Sequence, residues 1–449
     1  MIRTSVVMLL AVLISTDAVG QEKKAAVADP LAELPLLDSS LNYLLRVVKL
    51  RAVTSSGQQE KQMYSQFLAA EASFIGRHQE ALALMDLGSS KRPPASNTDT
   101  LNAYEPKDAV EAVLAEAQKH QIVMVNEAHH AARHRAFATL LLEGLKKQGF
   151  TYFAAETFGS SESLGGEEMT TLAQRGYPTL KTGYYTNEPV FGNLVRTAMQ
   201  LGFTPIAYEH VQKTRRTPAK DDEGRMQQIN EREEGEAQNL KTRIFDKDPK
   251  AKVVVFAGYS HISKAPFQRM VNGKLAEQAW MAAKLKKLTG IDPLCVDQTE
   301  MMEKSKPDFE HPAYRLALDK GKVPGDRPVV LHDAKTRKYF VPPTAEDRLD
   351  MVVFHPRDRY EDGRPVWLRL GGLRKPLRIA RLPQPANDES LLVQAFVKKE
   401  DVKTSVPIDQ QEYCSADPKP VLLLPKGEYC IRVIDKGRKI VHETEAIVE

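Results

Sequence analysis

Between residues 122 and 296, short apolar runs alternate with stretches of helical periodicity. Ile122-Val123-Met124-Val125, Tyr152-Phe153-Ala154-Ala155, Thr204-Pro205-Ile206-Ala207-Tyr208, Val253-Val254-Val255-Phe256-Ala257 and Leu294-Cys295-Val296 read as strands. Apolar positions recurring at helical spacing predict helices over 131–147, 189–201, 224–245 and 274–288. Continuous apolar strands separated by helices predict an α/β fold, a mainly parallel sheet covered by helices on both faces. Val329-Val330-Leu331 and Met351-Val352-Val353-Phe354 are expected to complete that sheet.

The flanks differ. Over 31–90, Leu36, Leu37, Leu41, Leu44, Leu45 and Val48 begin a helical pattern that continues over 62–75 and 78–85. The last two helices resemble a single tetratricopeptide-type hairpin, but one copy favours a plain helical cap. Residues 89–97, with Pro93 and Pro94, form a linker. After Pro356 helical periodicity ends. Short strands at Trp367-Leu368-Arg369-Leu370, Leu377-Arg378-Ile379, 391–397, 421–424 and 429–434 predict a small all-β, sandwich-like domain without chemistry of its own. The expected organisation is a signal peptide over 1–20, a helical cap and linker over 21–97, an α/β domain over 98–363 and a β domain over 364–449.

Composition narrows the function classes. The chain has 449 residues, 42% hydrophobic and 27% charged, with a formal charge of +4. So small a surplus does not mark a nucleic-acid binder. Arg3, the apolar run over 6–14 and the small residues Ala18 and Gly20 read as a cleaved secretory signal. The run is too short to span a bilayer, so no stable membrane span is expected after cleavage and the address is periplasmic or secreted. In that compartment Cys414 and Cys430, flanking a predicted hairpin, are candidates for a disulfide, and Cys295 reads as a buried thiol.

Ligands of parallel α/β sheets gather at the carboxyl ends of the strands. The first strand runs into Asn126-Glu127-Ala128-His129-His130, with His134 and Arg135 one helical turn on. The second ends in Glu156, the third in Glu209-His210, and the fourth in Gly258-Tyr259-Ser260-His261. Four successive strands deliver a carboxylate or imidazole at one edge, a set suited to activating water directly or through a metal. On the helix over 224–245, Arg232, Glu236, Asn239 and Arg243 flank the apolar stripe, and a buried Arg232 would need Glu209 or Glu156 as partner. No Gly-x-Ser-x-Gly elbow, His-Glu-x-x-His helix or glycine-rich phosphate loop is present.

Val125-Asn126-Glu127-Ala128-His129-His130, then Phe153-Ala154-Ala155-Glu156, then Arg232-Glu233-Glu234-Gly235-Glu236-Ala237-Gln238-Asn239-Leu240, then 253–261, resemble in order the motifs of the erythromycin-esterase family. The wider group includes haem-binding ChaN-type, Tiki and TraB proteins. The resemblance covers about 121–296. It departs from the family at Asn126, where the family's opening motif has glycine, and at the missing lipid-bearing cysteine of ChaN-type proteins. Glu127-Ala128-x-His130 fits the esterase pattern, while Glu127-x-His129 followed by His134-Arg135 fits the ChaN-type pattern. Both registers stay open.

The esterase likeness implies a hydrolase of ester or related bonds acting on a small-molecule substrate. His130 (or His129) would be the base, Glu127 and Glu156 would orient it, Arg232 would pin those carboxylates, and His261 would close the site. His134, Arg135, Tyr184, Tyr185, Glu209, Arg232 and Asn239 are the substrate-binding candidates, with the segment 159–187 as a lid. The ChaN-type alternative is a haem or metal binder with Tyr184 or Tyr185 as ligand. The Tiki-type alternative is a metalloprotease with His129 and His261 holding a divalent metal.

Overall fold

The computed structural model describes residues 43–53, 57–95, 97–159, 166–211, 219, 221–386 and 389–449. Residues 1–20, expected as a signal peptide, and the positions Leu36, Leu37 and Leu41 lie outside the described residues. Among the described residues no helix is long and apolar enough to cross a membrane.

Three helices come first: α1 (Tyr43–Arg51), α2 (Gln58–Phe74) and α3 (His78–Met85). The α/β part follows as β1 (Tyr104–Asp108), α4 (Ala109–Ala117), β2 (Ile122–Glu127), α5 (Ala132–Lys147), β3 (Tyr152–Ala155), α6 (Met169–Arg175), α7 (Pro189–Gln200), β4 (Thr204–Ala207), α8 (Asp222–Leu240), β5 (Val253–Gly258), β6 (Phe267–Val271), β7 (Lys274–Gln278), α9 (Met281–Thr289), β8 (Leu294–Asp297), α10 (Pro312–Asp319), β9 (Val329–Asp333), β10 (Lys338–Tyr339) and β11 (Met351–Val352). Six of these strands form one sheet in the order β11-β8-β2-β5-β3-β4, every pair parallel. The period of two along a strand sends alternate side chains to opposite faces. Val123, Val125, Phe153, Ala155, Val254 and Phe256 pack under α4, α5 and α7, joined by side chains of α1 and α2. Ile122, Met124, Ala154, Val253, Val255 and Ala257 pack under α8 and α9.

Several sequence expectations change. Val329-Val330-Leu331 is not a strand of the parallel sheet: β9 pairs antiparallel with β1 and β10, and its hydrogen-bonded link to the chain after β11 is a bridge from Val329 to Phe354. An apolar run carries no information on strand direction, which is why it was misassigned. The helix expected over 274–288 begins only at Met281, because Asn272-Gly273, both at positive φ, close the hairpin β6–β7. The long helix over 224–245 ends in one π-helical turn, Lys241–Phe245.

The remaining chain gives β12 (Tyr360–Glu361), β13 (Arg364–Pro365), β14 (Lys375–Arg378), β15 (Ser390–Val397), β16 (Asp409–Cys414), β17 (Val421–Leu424), β18 (Gly427–Ile434) and β19 (Ile440–Val448). Four of these strands form an antiparallel sheet in the order β16-β15-β18-β19. The predicted strand at Trp367 is instead a run of 3-10 turns, Val366–Gly372, broken at Leu370 and Gly371 by positive φ. Cys414 and Cys430 are free thiols, against the expected pairing. They lie on either side of β15, opposite Ser390 and Phe396, six residues apart along that strand. That offset alone is about 20 Å, beyond disulfide reach. Cys295 is buried on β8, as expected.

Candidate functional site

The strand order places the polar strand ends side by side. β5 lies between β2 and β3, and β4 follows β3, so Glu127, Gly258, Glu156 and Glu209 stand in a row at the carboxyl edge. The 3-10 turn Tyr259–Ile262 then folds His261 back over that edge. Tyr259 sits in the left-handed region at φ 41, a conformation that costs a non-glycine residue free energy. Asn126 holds it there: its Nδ2 donates to the Tyr259 carbonyl at 2.8 Å and to Asp297 Oδ1 at 2.6 Å.

One half of the site is built around His129. Its Nδ1 meets Glu127 Oε1 at 2.9 Å. Glu127 is in turn forked by Arg135, Nε to Oε2 at 2.5 Å and Nη2 to Oε1 at 3.0 Å, and Arg135 Nη1 reaches Glu188 Oε2 at 3.1 Å. Glu188 also caps α7 by accepting from Val190 N and Phe191 N. The Tyr185 ring stacks on the imidazole with centroids 4.0 Å apart and planes 11° apart. On the opposite side Gly258 leaves room: a Cβ there would lie 2.6 Å from His129 Cε1 and 2.8 Å from Nε2. The same point is 3.1 Å from Glu156 Oε2. His129 Nε2 and Glu156 therefore share the space above Gly258.

The other half is built around His261. Its Nδ1 lies 2.9 Å from Glu233 Oε2 and 3.2 Å from Glu236 Oε2, both on α8 and fully buried. Its Nε2 lies 3.4 Å from Glu156 Oε1. Glu233 also accepts from Met281 N at the start of α9. Arg232 crosses the centre: Nη2 reaches Glu156 at 2.7 Å, Glu209 at 2.6 Å and Glu236 at 3.0 Å, and Nη1 lies 3.2 Å from His261 Nε2. Asn239 Nδ2 donates to the carbonyls of Tyr208 and Glu209 and so fixes the backbone that carries Glu209. Trp280 closes the far side, edge-on to His261 at 5.9 Å.

So many buried charges set the protonation states. Burial opposes the charged form of His261, but Glu233, Glu156 and Glu236 outweigh it and raise its pKa well above the usual imidazole value. The Nη1 contact from Arg232 would suit a neutral acceptor; Glu156 at Nε2 and Glu233 at Nδ1 decide for the imidazolium. Burial pushes Glu156 upward, and His261, Arg232, His129 and the Gly258 N–H together pull it below the ordinary carboxylate range. Glu127 is likewise held low against burial, chiefly by Arg135 and by its bond to His129. Glu236 goes the other way, since burial dominates and lifts it well above the carboxylate range. The side chain of Glu209 is 19% exposed, the largest exposure in the cluster.

Glu127, His129, Glu156, Glu209, Arg232 and His261 thus converge. Others are placed elsewhere. His130 is buried with neither ring nitrogen hydrogen-bonded among the described residues, and burial with Lys304, His129 and Arg135 nearby pushes its pKa well below the usual value. Of the two registers, Glu127 therefore meets His129. His134 Nδ1 accepts from Ala128 N at 3.0 Å. Arg135 is fully buried and commits all three nitrogens to Glu127, Glu188 and the His129 carbonyl. It is a strut, with no nitrogen turned to a substrate. Tyr184 gives its hydroxyl to Glu71 on α2 at 2.6 Å. Of the segment expected as a lid, Thr182, Tyr185, Thr186 and Asn187 are buried, much of 166–181 is exposed or half-buried, and residues 160–165 lie outside the described part. Sequence reasoning missed Glu188 and Glu233. An acidic residue directly before Pro189 at a helix start was the available signal for Glu188. Glu233 sits in Arg232-Glu233-Glu234-Gly235-Glu236, which reads as a solvated helix face.

Glu156, Glu236 and His261 bring ligand atoms within 4.8 Å of one another, the geometry of a cation site. Arg232 already places its guanidinium against all three. A divalent ion there would have to displace the arginine, so this donor set does not fit a metal. Of the two tyrosines, Tyr184 does not fit haem iron, because its hydroxyl is already given to Glu71. Burial raises the pKa of both Tyr184 and Tyr185 well above the usual phenol value.

No protein-family model and no curated protein matches the chain. Among solved structures it is similar to one described as bacterial protein toxins, with TM-score 0.32 and 12% identity over 59% of this chain and 56% of that one. It is similar to the type III effector HopBA1, with TM-score 0.28 and 14% identity over 49% of this chain and 94% of that one. It is also similar to RRSP, a MARTX toxin effector domain from Vibrio vulnificus CMCP6, with TM-score 0.27 and 15% identity over 50% of this chain and 46% of that one. The chain thus spans about half the length of the first of these structures. Likenesses this distant carry no weight for activity.

Proposed function

We propose that the chain is a hydrolase of esters or related bonds in which His129 activates water without a metal. The observation that supports this most is the pairing of two carboxylate-bound histidines across Glu156. Glu127 occupies Nδ1 and leaves His129 Nε2 in the space above Gly258, beside Glu156. A carboxylate on Nδ1 fixes the tautomer in which Nε2 is the base. In the reaction Nε2 takes a proton from water as its oxygen adds to the acyl carbon. The oxygen of the acyl group gains negative charge beside Arg232 and the His261 imidazolium. The His129 proton then passes to the leaving oxygen, giving acid and alcohol. The resemblance of 121–296 to the erythromycin-esterase family supports this reading, and the N-terminal run read as an export signal supports a small-molecule substrate met in the periplasm or outside the cell.

The test is a panel of small esters and amides, with and without chelator, on wild type, His129→Ala and His130→Ala. Turnover is expected to ignore the chelator and to fall about 10²–10⁴-fold in His129→Ala, the usual contribution of a general base. His130→Ala should retain most of it. Full turnover in His129→Ala, or loss with chelator, refutes the assignment.

A further inference from the structure

The helices that precede the α/β part reach the candidate site through one turn. Residues 182–188 carry Tyr185, the ring that covers one face of His129. That turn is pinned by four contacts, from Thr157, α1 and α2. A Cβ on Gly183 would lie 1.9 Å from the Thr157 carbonyl oxygen, so the turn lies directly against the end of β3. Tyr185 N donates to Thr157 Oγ1 at 2.9 Å. From α1, Tyr43 donates its hydroxyl to the Asn187 carbonyl at 2.9 Å. From α2, Glu71 accepts the Tyr184 hydroxyl at 2.6 Å.

Glu71 is itself completely buried and ion-paired with Arg46 of α1. Arg46 lies 5.7 Å from the centre of the Tyr184 ring and 5.9 Å from that of Phe74, so the guanidinium lies beside both rings. A buried carboxylate with one cation and one phenol is a rigid anchor, because each partner removed leaves a charge or a donor unpaired. Tyr184 and Tyr185 also pack edge to face at 4.9 Å, which couples the anchored ring to the one stacked on His129. An imidazolium gains from lying over an electron-rich ring, so the position of Tyr185 bears on how readily His129 takes a proton.

We infer that α1 and α2 are part of the hydrolytic site, with Tyr184 a positioning residue that acts through Glu71 to hold Tyr185 on the His129 ring. This rests on His129 being the base. It assigns the helical region a role in the site beyond that of a cap, and it gives Tyr184 a task other than ligand or substrate contact. It also accounts for a buried Arg46–Glu71 pair whose remaining acceptor capacity is spent on a residue 113 positions away.

The test uses the full chain with labelled histidines. The His129 imidazole resonance, assigned through His129→Gln, is titrated in wild type and Tyr184→Phe. Tyr184→Phe removes one hydroxyl and keeps the ring. Expected are a shifted His129 titration midpoint and a fall in kcat of about tenfold with KM little changed, less than the roughly 10² of a full ångström because the Tyr184 ring itself stays. Arg51→Ala, which breaks ion pairs from α1 to Glu80 and Glu412, is the control: it should lower thermal stability and leave the His129 titration in place. Tyr184→Phe that loses stability alone, or loses turnover with an unmoved His129 resonance, overturns the inference. A moved resonance in a protein that hydrolyses nothing keeps the clamp and removes the hydrolase reading. If Tyr184→Phe does not fold, Tyr43→Phe, which frees the Asn187 carbonyl of the same turn, is titrated in its place with the same two outcomes.

Discussion

Gly258→Ala perturbs the site by one methyl group. Gly258 has φ −78 and ψ 142, which alanine adopts freely, so the backbone cost is small. The cost lies in the space. The new Cβ would stand 2.6 Å from His129 Cε1, 2.8 Å from Nε2 and 3.1 Å from Glu156 Oε2. Carbon atoms in contact prefer roughly 3.5–4 Å, so the ring must withdraw by about 1 Å. It has nowhere to go without loss. Tyr185 is stacked behind it, Tyr259 stands edge-on at 5.2 Å, and Nδ1 is tied to Glu127. A misplacement of about 1 Å in a reacting group costs on the order of 10² in rate. Overpacking a filled interior costs about 1–3 kcal/mol. The assay is kcat/KM on whichever ester of the panel the wild type hydrolyses, beside urea unfolding and the His129 ring resonance. Gly325→Ala, where nothing lies within 4 Å and φ is negative, is the control and should match wild type in all three. Wild-type turnover in Gly258→Ala with an unmoved resonance would refute the placement of the reacting nitrogen above Gly258.

Arg232→Met should lose about 3–5 kcal/mol in urea unfolding, because Glu156, Glu209 and Glu236 lose their shared cation; unchanged stability would mean that those carboxylates are solvated. Glu156 titrates below its unfolded value, so its contribution is complete above the unfolded carboxylate pKa and is lost as pH falls through the folded one; Glu156→Gln should flatten that part of the acid limb in pH-dependent unfolding. His261 titrates above its unfolded value, so its contribution is complete below the unfolded imidazole pKa and is lost as pH rises through the folded one; His261→Gln should remove that alkaline loss. Unfolded without reductant, the protein should show Cys295, Cys414 and Cys430 all reactive toward a thiol reagent; a count short by two would restore the disulfide.

The residues most legible from the chain were those at the ends of apolar runs. An apolar stretch such as Val253-Val254-Val255-Phe256-Ala257 announces a strand buried on both faces, and parallel strands end on the same edge, so the sequence alone brings Glu127, Glu156, Glu209 and His261 together. Arg232 followed for a similar reason: a cation beside the apolar stripe of a helix must find carboxylates when buried, and Glu156 and Glu209 were the candidates. The Asn272-Gly273 turn was equally visible and was passed over in favour of helical spacing.

Periodicity along the chain therefore determined the class of fold and which groups crowd the edge, since it records which side chains must leave water. The choice between His129 and His130 did not follow from it. Adjacent side chains differ in direction by the turn that carries them, and that turn is set by Arg135, Glu188 and the packing of α5 and α7. The same holds for Val329-Val330-Leu331, whose direction depends on its antiparallel partner β1, and for Cys414 and Cys430, separated by the register of β15. Glu71 and Tyr184 are the extreme case. Nothing local in either segment marks the other, and they meet only because two helices far back in the chain close over the turn that carries the ring against His129. Contacts between distant segments arise from how whole elements pack, a property of the folded chain that no window of sequence contains.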